Sequence, residues 1–127
     1  MTTTPEGRVA AALRQAVIEA GGEIRKLRWD GRNGAPDYFV ILNGKVWLIE
    51  CKAPGKRPRA SQMLEFERLL QAGINVLVID NAAHAQGLVT MLATRSCCID
   101  KCYIDNTTGV YCRLEDFRFQ RYRKKCD

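Results

Sequence analysis

The sequence lacks long apolar runs, internal repeats, low-complexity tracts and linkers, and it contains a single histidine. No apolar run approaches the roughly 18 residues that a membrane-spanning helix needs. The first residues, MTTTPEGR, have neither the basic region nor the apolar region of a secretory signal peptide. We therefore expect an intracellular, cytoplasmic protein with no membrane partner and one domain over residues 1–127. The histidine, His84, falls on a predicted helix and is assigned no role.

Acidic residues are also in the minority. Twenty Lys and Arg residues against 14 Asp and Glu residues give a formal net charge of +6 and a pI near 9.2. This balance favours a polyanionic partner without establishing one. Apolar residues make up 46% of the 127 residues, which is enough for one domain with a substantial core.

Six cysteines are present in a chain without a secretory signal. Thiols are the expected state inside the cell, so the even count does not indicate a disulfide framework. Four of the cysteines could supply a zinc site: Cys97, Cys98, Cys102 and Cys112. Their spacing differs from the paired CxxC of a zinc ribbon. We prefer the interpretation that the cysteines are idle or buried thiols.

The apolar pattern predicts six elements through residue 80, in the order α-β-β-β-α-β. The predicted elements are a helix from Thr4-Pro5 to Gly21-Gly22, strands at Ile24–Arg28, Tyr38–Leu42 and Val46–Ile49, a helix from Ser61 to Gly73, and a buried strand at Ile74–Ile79. A strand, a crossover helix and another buried strand favour a parallel pair. The sequence therefore predicts an α/β fold with a mixed central sheet flanked by helices.

Beyond this order the pattern is weaker. A third helix is predicted over Asn81–Thr94, which places the core at residues 5–95. An extension over residues 96–127 follows, with a candidate hairpin formed by Tyr103-Ile104 and Val110–Cys112. Its tail alternates basic and aromatic residues, a pattern that suits either DNA contact or packing on the domain, and we prefer packing.

The central feature of the sequence is a hairpin around Asn43-Gly44, a dipeptide typical of two-residue hairpin turns. If these two residues form the loop, Asp37 lies directly opposite Glu50 on the neighbouring strand, and the two side chains share one face of the sheet. Lys52 lies two residues beyond Glu50 and projects from the same face. Two carboxylates and an ammonium thus meet at the end of an otherwise apolar hairpin, where charge is costly without a partner or a metal.

These three side chains suit metal-assisted hydrolysis of a phosphodiester bond. Asp37 and Glu50 would supply oxygen ligands for Mg²⁺ or Mn²⁺, and the backbone carbonyl of Cys51 would be within reach as a further ligand. Lys52 could orient or deprotonate the attacking water, or stabilise the developing negative charge. The alternative is a structural ion pair between Lys52 and either carboxylate.

The same residues resemble a known motif. Pro36-Asp37 followed by Glu50-Cys51-Lys52 resembles the PD-(D/E)xK nuclease motif, and α-β-β-β-α-β is the core order of that restriction-endonuclease-like superfamily. The wider pattern, with Gly34-Ala35-Pro36-Asp37, the segment from Ile49 to Gly55 and Gln62 at the start of the next helix, resembles the VRR-Nuc family. The resemblance covers residues 5–85.

The resemblance implies a role for each matching residue. Asp37 and Glu50 would bind the metal, Lys52 would be the catalytic lysine, and Gln62 would be the motif glutamine near the active site. Glu6, which shares the apolar stripe of the first helix, would be the helix glutamate that approaches the metal. A first-turn acid that pairs with the helix dipole is the alternative for Glu6, and Glu19 is its rival on the same helix.

The resemblance also implies a substrate. Small stand-alone members of the family, including phage nucleases, are similar to structure-specific endonucleases that act as homodimers on four-way DNA junctions (Holliday junctions). A chain of this size has one site, so a two-fold junction would require two chains. The expected cofactor is Mg²⁺ or Mn²⁺ with no small-molecule cofactor, and a phage-encoded protein would act in its host cell. The alternatives are a monomeric nickase, a linear-duplex nuclease and a DNA-binding module that does not cut.

Basic residues flank the motif on both sides. They could bind phosphates next to the scissile bond, since phosphate contacts set affinity without reading sequence. The alternative is a solvated loop surface. The candidate DNA-binding residues are Lys56, Arg57, Arg59, Arg28 and Arg32.

Overall fold

A central four-stranded sheet organises the computed structural model, which describes residues 4–94, 102–105 and 110–113. The helices are α1 (Pro5–Glu19), α2 (Ala60–Gln71) and α3 (Ala85–Thr94), with a short 3-10 turn at Ala82–His84. The strands are β1 (Glu23–Lys26), β2 (Tyr38–Leu42), β3 (Lys45–Cys51), β4 (Asn75–Ile79), β5 (Cys102–Asp105) and β6 (Val110–Arg113).

The sheet has the strand order β1-β2-β3-β4 and is mixed. β1 pairs antiparallel with β2, and β2 pairs antiparallel with β3. β3 and β4 are parallel, as a strand, helix and strand in succession predict. The mixed sheet and the order α-β-β-β-α-β are therefore confirmed.

The central hairpin has the predicted register. Leu42 pairs with Lys45 and Tyr38 pairs with Ile49. Asn43 and Gly44 both have positive φ, 52° and 76°, as a type I′ turn requires. The right-handed twist of that turn matches the twist of the strands, which explains why the local dipeptide sets the pairing of the whole hairpin.

Helices cover both faces of the sheet. On one face, Tyr38, Val40, Leu42, Trp47 and Ile49 are buried, and α1 packs there through its own buried stripe of Val9, Leu13, Ala16 and Val17. On the other face, α2 buries Met63, Phe66 and Leu70 against the sheet. α3 packs beside α1 and adds Leu88, Val89 and Leu92 to the core.

Several element boundaries differ from the prediction; β3, for example, spans Lys45–Cys51 instead of Val46–Ile49. β1 ends at Lys26 instead of Arg28, although the Leu27 N–H still bonds to the Asp37 carbonyl at 2.8 Å. α2 begins at Ala60, one residue before Ser61, and Arg59 occupies the N-cap position. The Gln62 side chain, in the first turn, accepts the Arg59 N–H at 2.9 Å. The third helix is interrupted near its start by the 3-10 turn, where the Asn81 side chain accepts the Ala83 N–H at 2.9 Å.

The N-terminus of α1 and the second hairpin follow the prediction. The Thr4 hydroxyl accepts the Gly7 N–H at 2.9 Å, and Pro5 occupies the first helical position. β5 and β6 pair antiparallel. The side chains of the candidate zinc ligands and the basic tail beyond Arg113 lie outside the described residues. Among the helices in the described ranges, none is long and apolar enough to cross a membrane.

Candidate active site

The residues of the motif meet at one end of the sheet. Asp37 immediately precedes β2, while Glu50 and Cys51 are the last two residues of β3 and Lys52 follows them. Gln62 enters from the first turn of α2. Because β2 and β3 run antiparallel, the start of one strand lies beside the end of the other, and this places residues far apart in sequence side by side.

Asp37 is held by the backbone of the neighbouring strand. Its Oδ2 atom accepts the Cys51 N–H at 2.9 Å, and its side chain is 23% exposed. Its Oδ1 atom lies 3.8 Å from the Lys26 ammonium, which is longer than a charge-assisted hydrogen bond. The carboxylate is thus oriented through one oxygen while the other remains open to a stronger partner.

Glu50, Lys52 and Gln62 form a closed ring of hydrogen bonds. The Gln62 Nε2 donates to Glu50 Oε2 at 2.8 Å, and the Lys52 Nζ lies 3.0 Å from the same Glu50 oxygen. Lys52 Nζ also donates to Gln62 Oε1 at 3.0 Å. The amide orientation follows from its partners, because Oε1 faces two donors, the Lys52 ammonium and the Arg59 N–H, and Nε2 faces the carboxylate.

The second oxygen of Glu50 is buried and has no hydrogen-bond partner. The whole residue is only 2% exposed. Burial and the neighbouring Asp37 carboxylate raise the pKa of Glu50 above its ordinary value, against the opposing effect of Lys52 and Gln62. A buried carboxylate oxygen without a donor is costly, and a cation bound there would remove that cost.

Cys51 contributes its backbone rather than its thiol. The thiol is buried and reduced at 1% exposure, as predicted. Burial, followed by the carboxylates of Asp37, Glu50 and Glu6, raises the pKa of the Cys51 thiol far above its ordinary value, so the thiol is unreactive. Because the N–H and C=O of one strand residue point to the same side, the Cys51 carbonyl is directed toward the side of Asp37.

This donor set fits a hard divalent cation. The Glu50 Oε1, the Asp37 carboxylate and the Cys51 carbonyl are all oxygen atoms, the ligand type that Mg²⁺ and Mn²⁺ prefer. In the part of the chain that the structure describes, no three His, Cys, Asp or Glu side chains form a metal cluster. Two carboxylates with a backbone carbonyl and waters would therefore complete the coordination, as is usual for Mg²⁺.

Comparisons with known proteins identify the family of the chain. The chain is 40% identical over 77 residues to "Putative nuclease p44" of Acyrthosiphon pisum secondary endosymbiont phage 1, a match that covers 60% of this chain and 83% of that protein. A solved structure described as "VRR_NUC domain" superimposes with a TM-score of 0.64 at 37% identity, covering 69% of this chain and 97% of that one. The chain belongs to the VRR-Nuc family of nucleases. No protein-family model matches the sequence.

Gln62 connects the Lys52 and Glu50 side chains to α2. In the Gln62→Ala variant, we expect DNA cleavage to fall by about 10–100-fold, because both Lys52 and Glu50 lose an orienting partner. The free energy of unfolding should fall by about 1–3 kcal/mol, since Glu50 loses a donor inside the protein. Cleavage rates and urea unfolding measure the two effects. Gln71→Ala, at the exposed end of α2, is the control, and equal losses in both variants would contradict the role of the ring.

A second contact positions the loop that carries Asp37. Arg32 Nη2 lies 2.7 Å from Glu65 Oε1, and Glu65 is a buried carboxylate on α2. Gly34, with φ of 95°, packs so closely on α2 that a Cβ atom would lie 3.0 Å from the Glu65 Cβ and 3.1 Å from the Ser61 carbonyl. A side chain at position 34 would push the loop away from α2. Close packing against α2 therefore explains why position 34 is a glycine.

The helix glutamates lie at opposite ends of α1. Glu6 is exposed in the first turn, and its charge contributes to the raised pKa of the Cys51 thiol, so it lies within electrostatic range of the end of β3. It does not join Asp37 and Glu50 in a preformed cluster within the described ranges. Glu19 ends α1 and accepts the Gln15 amide at 3.1 Å on the exposed surface. The metal-binding role of Glu6 stays a prediction, and its position favours it over Glu19.

The candidate DNA-binding residues are all exposed, but they differ in their surroundings. Lys56, Arg57 and Arg59 lie on the loop between β3 and α2, next to Lys52 and Gln62. The Asp80 carboxylate anchors this loop by accepting the Gly55 N–H at 3.2 Å. Arg32 is half exposed and paired with Glu65, so it has a structural role besides any contact with DNA. Arg28 lies just beyond β1. Their roles in DNA binding stay predictions.

Two residues of the site were missed by sequence reasoning. Glu65 is a charged residue of α2 that no motif indicated, although its spacing of three residues from Gln62 puts both on one face of the helix. Tyr38 was assigned only to the apolar run of β2. Its ring lies 4.9 Å from the Lys26 ammonium and 5.5 Å from the Arg14 guanidinium, which no pattern within one element indicates.

Proposed function

We propose that this VRR-Nuc nuclease is a divalent-metal-dependent, structure-specific DNA endonuclease that cuts four-way junctions as a homodimer. The metal-dependent chemistry is supported by the surroundings of the Glu50 carboxylate: one oxygen is bound by Lys52 and Gln62, and the other is buried without a partner. An ion pair alone would not require the second oxygen to be buried. Asp37, immediately across the hairpin, supplies the second carboxylate.

The roles of the protein groups follow from their positions. When bound, Mg²⁺ or Mn²⁺ would lower the pKa of a coordinated water and offset negative charge on the phosphate. Asp37, Glu50 and the Cys51 carbonyl would hold the ion. The Lys52 ammonium, kept in place by two acceptors at 3.0 Å, would orient the attacking water or stabilise negative charge that develops on the phosphate.

The net charge of +6 and the exposed basic loop support DNA as the substrate. A four-way junction has two symmetric strands to cut, and each chain has one candidate site among its described residues. Two copies related by a two-fold axis would place two sites on one junction. The supporting argument for the dimer is thus the symmetry of the substrate.

The proposal predicts cleavage of a four-way junction in Mg²⁺ or Mn²⁺ and no cleavage in EDTA. Asp37→Asn should lower the cleavage rate by more than about 100-fold, because it removes half of the carboxylate charge at the site. Asp30→Asn, in the exposed loop before it, should cleave normally. Metal at about 100 times its Kd should add about 2.7 kcal/mol to the free energy of unfolding of the wild type.

Product analysis and molar mass separate the alternatives. Paired symmetric cuts by a dimer support the junction resolvase. A monomer that nicks or cuts linear duplex equally well would overturn the junction and dimer parts of the proposal. Metal-stabilised binding to DNA without turnover on any substrate would indicate the non-cutting module. Cleavage by Asp37→Asn at the wild-type rate would contradict the metal site itself.

A further inference from the structure

Lys26 places a second ammonium at the active site, on the side opposite Lys52. It is the last residue of β1 and pairs directly with Tyr38. Its Nζ lies 3.8 Å from Asp37 Oδ1 and 4.9 Å from the centre of the Tyr38 ring. Lys26 lies outside the GxPD and ExK segments that identify the family. The site therefore has one lysine beside each carboxylate, and only one of them is explained by the motif.

The Tyr38 ring, more than Asp37, determines where the Lys26 ammonium lies. The distance to Asp37 is too long for a tight ion pair, whereas 4.9 Å to the ring is within the range of a cation–π contact. Tyr38 is 6% exposed and belongs to the core, so it provides a rigid surface. Lys26 itself is 66% exposed. The ammonium is thus held near Asp37 while it remains accessible from solvent.

A cation bound at Asp37 would change the balance of charge around Lys26. Without the metal, the ammonium and the carboxylate attract each other. With a divalent cation on Asp37, the ammonium and the metal would repel each other at short range. A DNA phosphate beside both would relieve that repulsion, and a lysine ammonium is well suited to bind a phosphate as a point charge.

We propose that Lys26 is a phosphate-binding residue of the active site that makes metal binding at Asp37 depend on bound DNA. The inference rests on the proposed function and deepens it. In the free protein, Lys26 weakens the affinity for the metal. In the DNA complex, the phosphate that Lys26 binds raises the affinity for the metal. By linkage, the metal must raise the affinity for DNA by the same factor.

Calcium titration by calorimetry tests the coupling in the full chain, alone and saturated with a short DNA duplex that gels show to remain intact. In the wild type, DNA should tighten the Kd for Ca²⁺ by about five- to tenfold. In Lys26→Gln, the DNA-free protein should bind Ca²⁺ about two- to fivefold more tightly than the wild type. DNA should then lower the Kd for Ca²⁺ by a smaller factor than in the wild type, because only the direct attraction between metal and phosphate remains. Lys26→Arg keeps the charge and should retain the coupling.

Arg25→Gln is the matched control. Arg25 is adjacent on β1, has the same 66% exposure and carries the same charge, but it pairs with Glu23 at 2.8 Å instead of facing Asp37. This variant should keep the wild-type coupling. Thermal unfolding of each variant verifies that the fold is intact.

The outcomes separate this inference from the proposed function. A wild type that cuts DNA while Lys26→Gln keeps full coupling overturns the inference alone. Equal loss of coupling in Arg25→Gln also overturns it, because the effect would then come from net charge. A wild type that neither binds a divalent metal nor cuts DNA overturns the proposed function, and the inference with it.

Discussion

Lys52→Met is expected to lower the rate of DNA cleavage by about 10²- to 10⁴-fold, the range for removal of a positioned group that transfers a proton or stabilises charge. Methionine keeps the length and the apolar stem of the side chain but has no ammonium. In the wild type, that ammonium lies 3.0 Å from both Glu50 Oε2 and Gln62 Oε1. Single-turnover cleavage of the junction in Mg²⁺ measures the effect separately from product release.

The same substitution should make the free energy of unfolding depend more strongly on pH than in the wild type. Lys52 lowers the pKa of Glu50, so its removal raises that pKa further above the ordinary value. A carboxyl group whose pKa is raised by folding binds its proton more tightly in the folded state. Its destabilising effect therefore grows as the pH rises through the window between the unfolded and folded pKa values. Lys52→Met should be most destabilised at neutral and alkaline pH and should recover toward the wild type in acid.

Lys45→Met is the control for Lys52, because Lys45 starts β3 at the turn, at the far end of the hairpin from the active site. It should cleave DNA at the wild-type rate and show the wild-type dependence of stability on pH. Cleavage by Lys52→Met within about tenfold of the wild type would exclude a catalytic role for the ammonium.

Glu50→Gln should abolish metal-dependent cleavage and stabilise the metal-free protein at neutral pH. The amide oxygen of a glutamine can still accept from Gln62 and Lys52, while the buried charge facing Asp37 is removed. We expect a cleavage rate lower by more than about 10²-fold. The free energy of unfolding without metal should rise at neutral pH, because a carboxyl group whose pKa is raised by folding destabilises the protein in its charged form.

The direction of the pH effect follows from the raised pKa of Glu50. Above its ordinary pKa, the wild type loses stability with rising pH until the folded-state pKa is passed, and the variant lacks this loss. The gain from Glu50→Gln should therefore be small in acid and largest above the raised pKa. Thermal unfolding from about pH 4 to 8, the range around ordinary carboxyl and histidine pKa values, measures it.

Added metal should stabilise the wild type but not the Glu50→Gln variant. Mg²⁺ or Mn²⁺ should raise the melting temperature of the wild type and leave that of Glu50→Gln unchanged, because the variant has lost one of the two carboxylates. If metal stabilises both proteins equally, Glu50 is not a ligand. If the variant is less stable than the metal-free wild type at every pH, the raised pKa of Glu50 does not reflect a destabilising charge.

Much of the fold followed from local signals in the sequence. Asn43-Gly44 selects a type I′ turn, and that turn determines the register that brings Asp37 opposite the end of β3. The continuous apolar run of β4 indicated a strand buried on both faces, parallel to β3. The predicted start of α2 at Ser61 was one residue late, because Ser61 is a good N-cap by residue type, whereas the structure has Arg59 at that position with its N–H bound by the Gln62 side chain. Only the path of the loop before α2 decides between them.

The sequence alone determined which residues meet at the site, because strand alternation and a two-residue turn convert spacing into position. Asp37, Glu50 and Lys52 were placed together on that basis, and the wider motif added Gln62. Tertiary structure alone decided how they are partnered. The ring through Gln62, the unpartnered Glu50 oxygen, the Arg32–Glu65 contact and the approach of Lys26 all depend on distances between separate elements. Periodicity describes one element at a time, so contacts and burial between elements emerge only when the helices pack on the sheet.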